Sequence, residues 1–220
     1  DLSSRLHAGG VANLVTNPMG VEPELFSPAL RDPALRARLL DQCALPPSAH
    51  LMIAVGRLSP EKRWPMVIEA VTAAARVRPV GLVMLGEGRD SRAVLSAIGG
   101  NPHIRLFEPE RNRQAFARIL ASADALVHGC EAETFCMVAA EARASGLPVI
   151  VLDLGGAADH ARDGGGWTYR AADRRSASDA IARALQQPFT PRAAPNRTMN
   201  DHFEDLFADY SKLLTRRRAA

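Results

Sequence analysis

Glu133 and Glu141, with seven residues between them in the segment EAETFCMVAAEARASGLPVI (131–150), are the side chains best spaced to do chemistry in this chain. The segment reads as a loop running into a helix, a stop at Ser145-Gly146-Leu147-Pro148, and then a short apolar strand. A helix that starts near Phe135 leaves its first backbone N–H groups without intrahelical partners and partly positive. A diphosphate is the natural guest of such a helix start. Glu133, just before it, is placed to accept hydrogen bonds from the hydroxyls of a sugar carried by that diphosphate. Glu141 falls about 80° around the helix and two turns on, in reach of a second hydroxylated group such as a ribose. Taken separately, the same residues read as a helix cap and a solvated helix residue.

A second loop, Gly56-Arg57-Leu58-Ser59-Pro60-Glu61-Lys62-Arg63, carries the cations Arg57 and Lys62 and the hydroxyl of Ser59. Arginine grips phosphate oxygens with a fork and lysine with a point charge. The plain alternative is a solvated, charged turn. Gly86-Glu87-Gly88 has half of a dinucleotide fingerprint and lacks its third glycine, so it reads as a tight strand-to-helix turn that lets a ligand approach. Segment 153–166, with Gly155-Gly156 and Gly164-Gly165-Gly166, reads as a glycine-rich loop. His128 reads as a satisfied strand-end histidine and Cys136 as a small core thiol. The six histidines form no metal spacing, and no metal is expected.

Short apolar runs at 51–55, 80–85, 104–107, 125–128 and 148–152 read as buried strands. Helical patterns fall between and around them, at 33–42, 64–78, 90–98, 111–122, 176–187 and 198–215. Such alternation predicts an α/β fold, a Rossmann-like parallel sheet with helices on both faces and ligands at the carboxyl ends of the strands. We expect residues 1–45 to be the tail of a preceding domain and a linker, 46–190 the Rossmann-like domain, and 191–220 a linker with a closing helix. The linker itself is expected at 188–196.

The 220 residues, 47% apolar, suffice for one good core. No apolar run approaches the ~18–20 residues that cross a bilayer. The opening Asp1-Leu2-Ser3-Ser4-Arg5 has no secretory pattern and no initiating methionine, which leads us to expect a piece of a longer protein. Three cysteines, an odd number, fit a reducing cytoplasmic setting. A net charge of +3 with scattered arginines points away from nucleic acid and towards small anionic ligands. Arg216-Arg217-Arg218 leave open a peripheral contact with an anionic membrane surface.

Together these motifs resemble the carboxyl-terminal, donor-binding domain of retaining nucleotide-sugar glycosyltransferases of the GT-B fold, family 4. The resemblance runs from about residue 15 to 187 through Pro18-Met19-Gly20-Val21, Phe26-Ser27-Pro28, Gly56-Arg57-Leu58 with Lys62, Gly86-Glu87-Gly88, Ala123-Asp124-Ala125 and 133–148. It implies that Arg57 and Lys62, with Ser59, hold the diphosphate of a UDP- or GDP-sugar. Glu133 is implied to act on the sugar near the reacting carbon, and Glu141 on the ribose. The backbone N–H groups of Phe135, Cys136 and Met137 would meet phosphate and sugar, and Phe107-Glu108-Pro109 would flank the base. No cofactor or metal is implied. The acceptor domain would lie before this chain, and the helix at 198–215 resembles the family's closing helix, whose apolar face would cover that domain or a second copy. The family commonly has glycine where Cys136 stands. A nucleotide-sugar epimerase of the same fold and a non-catalytic nucleotide-binding module are the alternative readings.

Overall fold

A computed structural model describes residues 2–162, 164–187 and 197–219, with side chains only to residue 215 in the last helix. The expected linker at 188–196 and the side chains of Arg216, Arg217 and Arg218 lie outside this description. Six parallel strands form one sheet: β1 (His50–Val55), β2 (Val80–Leu85), β3 (Ile104–Phe107), β4 (Ala125–Val127), β5 (Val149–Leu152) and β6 (Gly166–Tyr169). Their spatial order is β3-β2-β1-β4-β5-β6. The chain therefore winds outward from β1 to β3, returns beside β1 as β4, and winds the other way. The carboxyl ends of β1 and β4 flank the switch point, where open α/β sheets leave a crevice.

Alternating side chains build a core on each face, as expected for a sheet covered on both sides. Met52, Ala54, Leu82, Met84, Val127, Ile150 and Leu152 face α3 (Trp64–Ala74) and α8 (Arg174–Gln186). Leu51, Ile53, Val83, Leu126, Val149 and Val151 face α2 (Pro33–Gln42), α5 (Arg113–Ser122), α6 (Met137–Ala144) and α7 (Gly155–Ala161). Helix α1 (Leu2–Ala8) buries no residue, and α4 (Ser91–Ile98) buries Val94. Asp124 ties the amino-terminal segment to the sheet, taking Arg36 at 2.6 Å, Arg31 at 2.7 Å and the backbone N–H of Leu51 at 2.8 Å.

Two expectations are corrected. The glycine-rich loop at 153–166 contains a helix, α7, and leads into a sixth strand. Gly156 sits in that helix because a Cβ there would meet the Thr134 carbonyl oxygen at 2.2 Å, so the helix start packs directly on the loop after β4. Gly86-Glu87-Gly88 is the turn between β2 and α4, with Gly86 and Glu87 lining a cleft, and it also makes room for another loop of the protein: Cβ atoms would lie 2.1 Å from the Gly56 oxygen at Gly86 and 2.4 Å from the Leu58 oxygen at Gly88. The helix carrying Glu141 begins at Met137, not near Phe135, because Cys136 adopts a left-handed φ of 70° and sits at the cap.

The last helix, α9 (Met199–Ala219), starts against the turn at 17–21. Val21 N–H donates to the Arg197 carbonyl at 2.9 Å, and a Cβ on Gly20 would strike the Thr198 backbone at 2.0 Å. Phe203, Phe207, Tyr210 and Leu213 of α9 are exposed. Among the described residues no helix is long and apolar enough to cross a membrane.

Gly86→Ala forces the loops after β1 and β2 apart. Its unfolding free energy should fall by about 1–3 kcal/mol, the usual cost of an added methyl in a closed contact. Urea unfolding measures this, and an unchanged midpoint and slope would contradict the close approach.

Candidate functional site at the switch point

The loop after β1 and the loop after β4 meet across the crevice. Lys62 Nζ lies 2.5 Å from Glu133 Oε1, and His128 Nε2 lies 3.1 Å from the same oxygen. Trp64 stands edge-on to the His128 ring at 6.2 Å, and the Tyr169 hydroxyl donates to the His128 carbonyl at 2.7 Å. His128 is buried, and burial pushes its pKa below 6.5, so near neutral pH the ring is uncharged. With its proton on Nε2 it donates to Glu133, while its Nδ1 has no hydrogen-bond partner among the described residues. The His128 hydrogen bond, against the opposing effect of burial and together with Lys62, lowers the Glu133 pKa to about 2. Burial acts against the Lys62 ammonium, but the carboxylate outweighs it and raises the lysine's pKa. The pair is therefore ionised across the physiological range.

A cleft of about 430 Å³ opens beside this cluster, lined by Gly56, Arg57, Pro109, Arg113, Met137 and Glu141 among others. Gly56 separates cleft and cluster: a Cβ there would come within 3.7 Å of Lys62 Cε. Glu141 is buried at the far wall and bonded to Arg113 Nη2 at 2.8 Å. Burial raises the Glu141 pKa, Arg113 opposes the rise and Glu22 adds to it. The Arg113 guanidinium lies over Phe26 at 4.9 Å and Phe116 at 5.8 Å, so two rings steady its fork. Glu141 is thus a held, buried carboxylate rather than a solvated helix residue.

The structure gathers the expected residues unevenly. Arg57, Met137 and Glu141 line the cleft, and Lys62, Glu133 and Cys136 form the adjoining cluster. Arg57 is 81% exposed and 3.7 Å from Glu61, free to turn inward. Ser59 donates its hydroxyl to Glu61 at 2.7 Å, a local bond that a ligand would have to replace. Phe135 turns to α7, where its ring meets His160 edge-on at 4.9 Å and its carbonyl lies 2.6 Å from His160 Nε2. Of the base-flanking stretch, Pro109 reaches the cleft. Sequence reasoning reads His128 as a satisfied strand-end residue and does not single out Arg113. His128 had one available signal, its place at the end of a strand five residues before Glu133. Arg113 had none, since its partner lies in another helix.

Residues 38–200 match the family model for glycosyl transferases group 1. The chain belongs to that family. A GDP-mannose-dependent alpha-mannosyltransferase of Mycobacterium tuberculosis is 36% identical over 154 residues, 70% of this chain and 37% of its own length. A D-inositol 3-phosphate glycosyltransferase of Actinosynnema mirum is 30% identical over 86% of this chain and 47% of its own. The chain thus spans less than half the length of these two relatives. Among solved structures, a sucrose-phosphate synthase of Thermosynechococcus elongatus superposes with a TM-score of 0.74 at 20% identity, over 99% of this chain and 56% of that one. A pneumococcal O-GlcNAc transferase solved with UDP and GlcNAc gives 0.75 at 16% identity, over 97% and 44%. The group 1 chain described here thus has the Rossmann-like half of a GT-B fold.

The Glu133 pKa is depressed, so its contribution to stability is present above pH 4.5, its unfolded value, and is lost as pH falls towards about 2. Glu133→Gln should make the decline of unfolding free energy over that window shallower than in the native sequence. Urea titrations at a series of pH values read this directly, and parallel curves would refute the pairing.

Proposed function

We propose that this chain is the donor-binding half of a retaining glycosyltransferase that takes a sugar from a UDP- or GDP-sugar. The observation that carries the reading is the pairing of a cleft ending in the held carboxylate of Glu141 with the Lys62–Glu133 cluster at the start of α6. The ribose hydroxyls would donate to Glu141, whose orientation Arg113 sets, and the base would lie towards Pro109. The diphosphate would meet the free N–H groups of Met137 and Val138 at the helix start, with Arg57 swung in from solvent. Lys62 would leave Glu133 for the diphosphate, and Glu133, released from it, would accept from the sugar hydroxyls near the reacting carbon. His128 would keep that carboxylate aimed.

Breaking the sugar–phosphate bond leaves charge on the departing nucleoside diphosphate. Two cations and a helix start supply the stabilisation that this charge requires, so the reading calls on no metal. The acceptor would be held by the part of the protein outside this chain, and the exposed aromatic side of α9 would lie towards it. The GDP-mannose and UDP named for the relatives and neighbours support a nucleotide-sugar donor. A setting at the inner face of a membrane is part of the same proposal.

The chain alone should bind UDP or GDP in calorimetry, and no heat with either at millimolar levels would sink the reading. In the full-length protein Glu133→Ala should cut turnover by ~10²-fold or more while nucleotide affinity changes little, the pattern of a group acting at the reacting centre. Arg113→Ala should instead weaken nucleotide binding by about tenfold, the worth of a charge-assisted hydrogen bond that fixes a ligand group.

A further inference from the structure

Three residues with metal-binding atoms converge beyond the end of β4: His128, Glu133 and Cys136 each offer a ligand atom within 4.8 Å of the others. Cys130, also buried, follows His128 by two residues. His128 and both cysteines are buried, so the group is shielded rather than a patch of solvated acids. The donor reading uses neither thiol. Imidazole nitrogen, carboxylate oxygen and thiolate sulfur are together the ligand set of tetrahedral Zn²⁺ sites and of other thiophilic divalent ions.

Two further observations point to a cation here. The cluster already surrounds one, since the Lys62 ammonium sits 2.5 Å from Glu133 Oε1. Nε2 of His128 faces the cluster, and its proton can pass to the unpartnered Nδ1 when Nε2 takes a metal. The sulfur of Cys136 reaches the cluster from a backbone φ of 70°, a conformation that glycine adopts freely and other residues adopt with strain.

We propose that His128, Glu133 and Cys136, with Cys130 beside them, form a site for a thiophilic divalent cation such as Zn²⁺ or Cd²⁺, which takes the place of the Lys62 ammonium. On binding, each coordinating thiol releases its proton to solvent, metal–sulfur bonds form, and Lys62 parts from Glu133. Because Glu133 is then unavailable to the sugar of a donor, the cation acts as an inhibitor of donor binding and not as a cofactor. The site itself stands independently of the transferase reading; only the competition with donor rests on it.

The test is a Cd²⁺ titration of the intact chain, kept reduced with a phosphine, following the ultraviolet thiolate-to-metal charge-transfer band. A band that saturates at a single equivalent is expected. Cys136→Gly, which suits the local backbone and whose fold circular dichroism verifies, should weaken binding by at least the ~10–100-fold that loss of even an outer-sphere partner costs. Lys62→Ala should tighten it, because no ammonium then competes for Glu133. No band in the native chain, or an undiminished band in Cys136→Gly, overturns the site. GDP and UDP affinities measured with and without Zn²⁺ separate the two claims: metal binding without any nucleotide binding leaves the site standing and removes the donor reading.

Discussion

A carboxylate withdrawn from water at the end of a central strand is the constraint around which this molecule is arranged. Glu133 is only 19% exposed, and an unpaired ionised acid there would cost several kcal/mol or would take up a proton. It stays ionised because Lys62 and His128 both converge on one of its oxygens. That convergence requires the loops after β1 and β4 to lie side by side, which follows from the strand order at the switch point. It also requires a rigid floor. Gly129 supplies part of it, since a Cβ there would fall 2.6 Å from the Lys62 carbonyl oxygen. On the other side, the Gly156 N–H donates to the Glu133 carbonyl at 2.9 Å, so α7 braces the backbone that carries the acid.

The central strands were legible in the sequence for a simple reason. Parallel strands covered on both faces read as unbroken apolar runs, and β1, β2, β4 and β5 are such runs. β6 is an edge strand, GWTY, with one fully buried residue, so it lacks that signature. Helix α7 opens with two glycines, which propensity places in loops. Only the need for backbone to pass 2–3 Å from where a Cβ would sit explains them, and that is a tertiary fact. The helix start at Met137 lies two residues beyond the one that the sequence pattern suggests for a related reason: the left-handed turn at Cys136 carries no glycine to announce it.

The site was legible in parts and not as a whole. Glu133, Glu141, Arg57 and Lys62 have the right chemistry at strand ends, and each could be singled out from its neighbours in the chain. Their grouping could not. Lys62 and Glu133 are 71 residues apart, and Arg113 and Glu141 are 28 apart on different helices. Ser59 adds a contact that the chain does make locally: its hydroxyl is taken by Glu61 two residues away, a bond that competes with any ligand.

Cys136 joins these strands of argument. A residue at φ 70° between the loop and α6 lets the chain turn sharply enough for Glu133 to face the crevice while Met137 opens a helix beside it. Glycine meets that backbone demand with no side chain, leaving a gap against the carboxylate. Cysteine meets it at some strain and fills the gap with a polarisable sulfur, whose burial, followed by the nearby Glu133 charge, pushes the thiol pKa up to about 12. A neutral thiol there excludes water from Glu133 and so strengthens its attraction to Lys62. The same side chain narrows the space beside Glu133 and His128. The identity of one side chain at a left-handed turn therefore couples three properties that glycine would leave independent: the strain of the turn, the dryness of the ion pair, and the room left for a ligand.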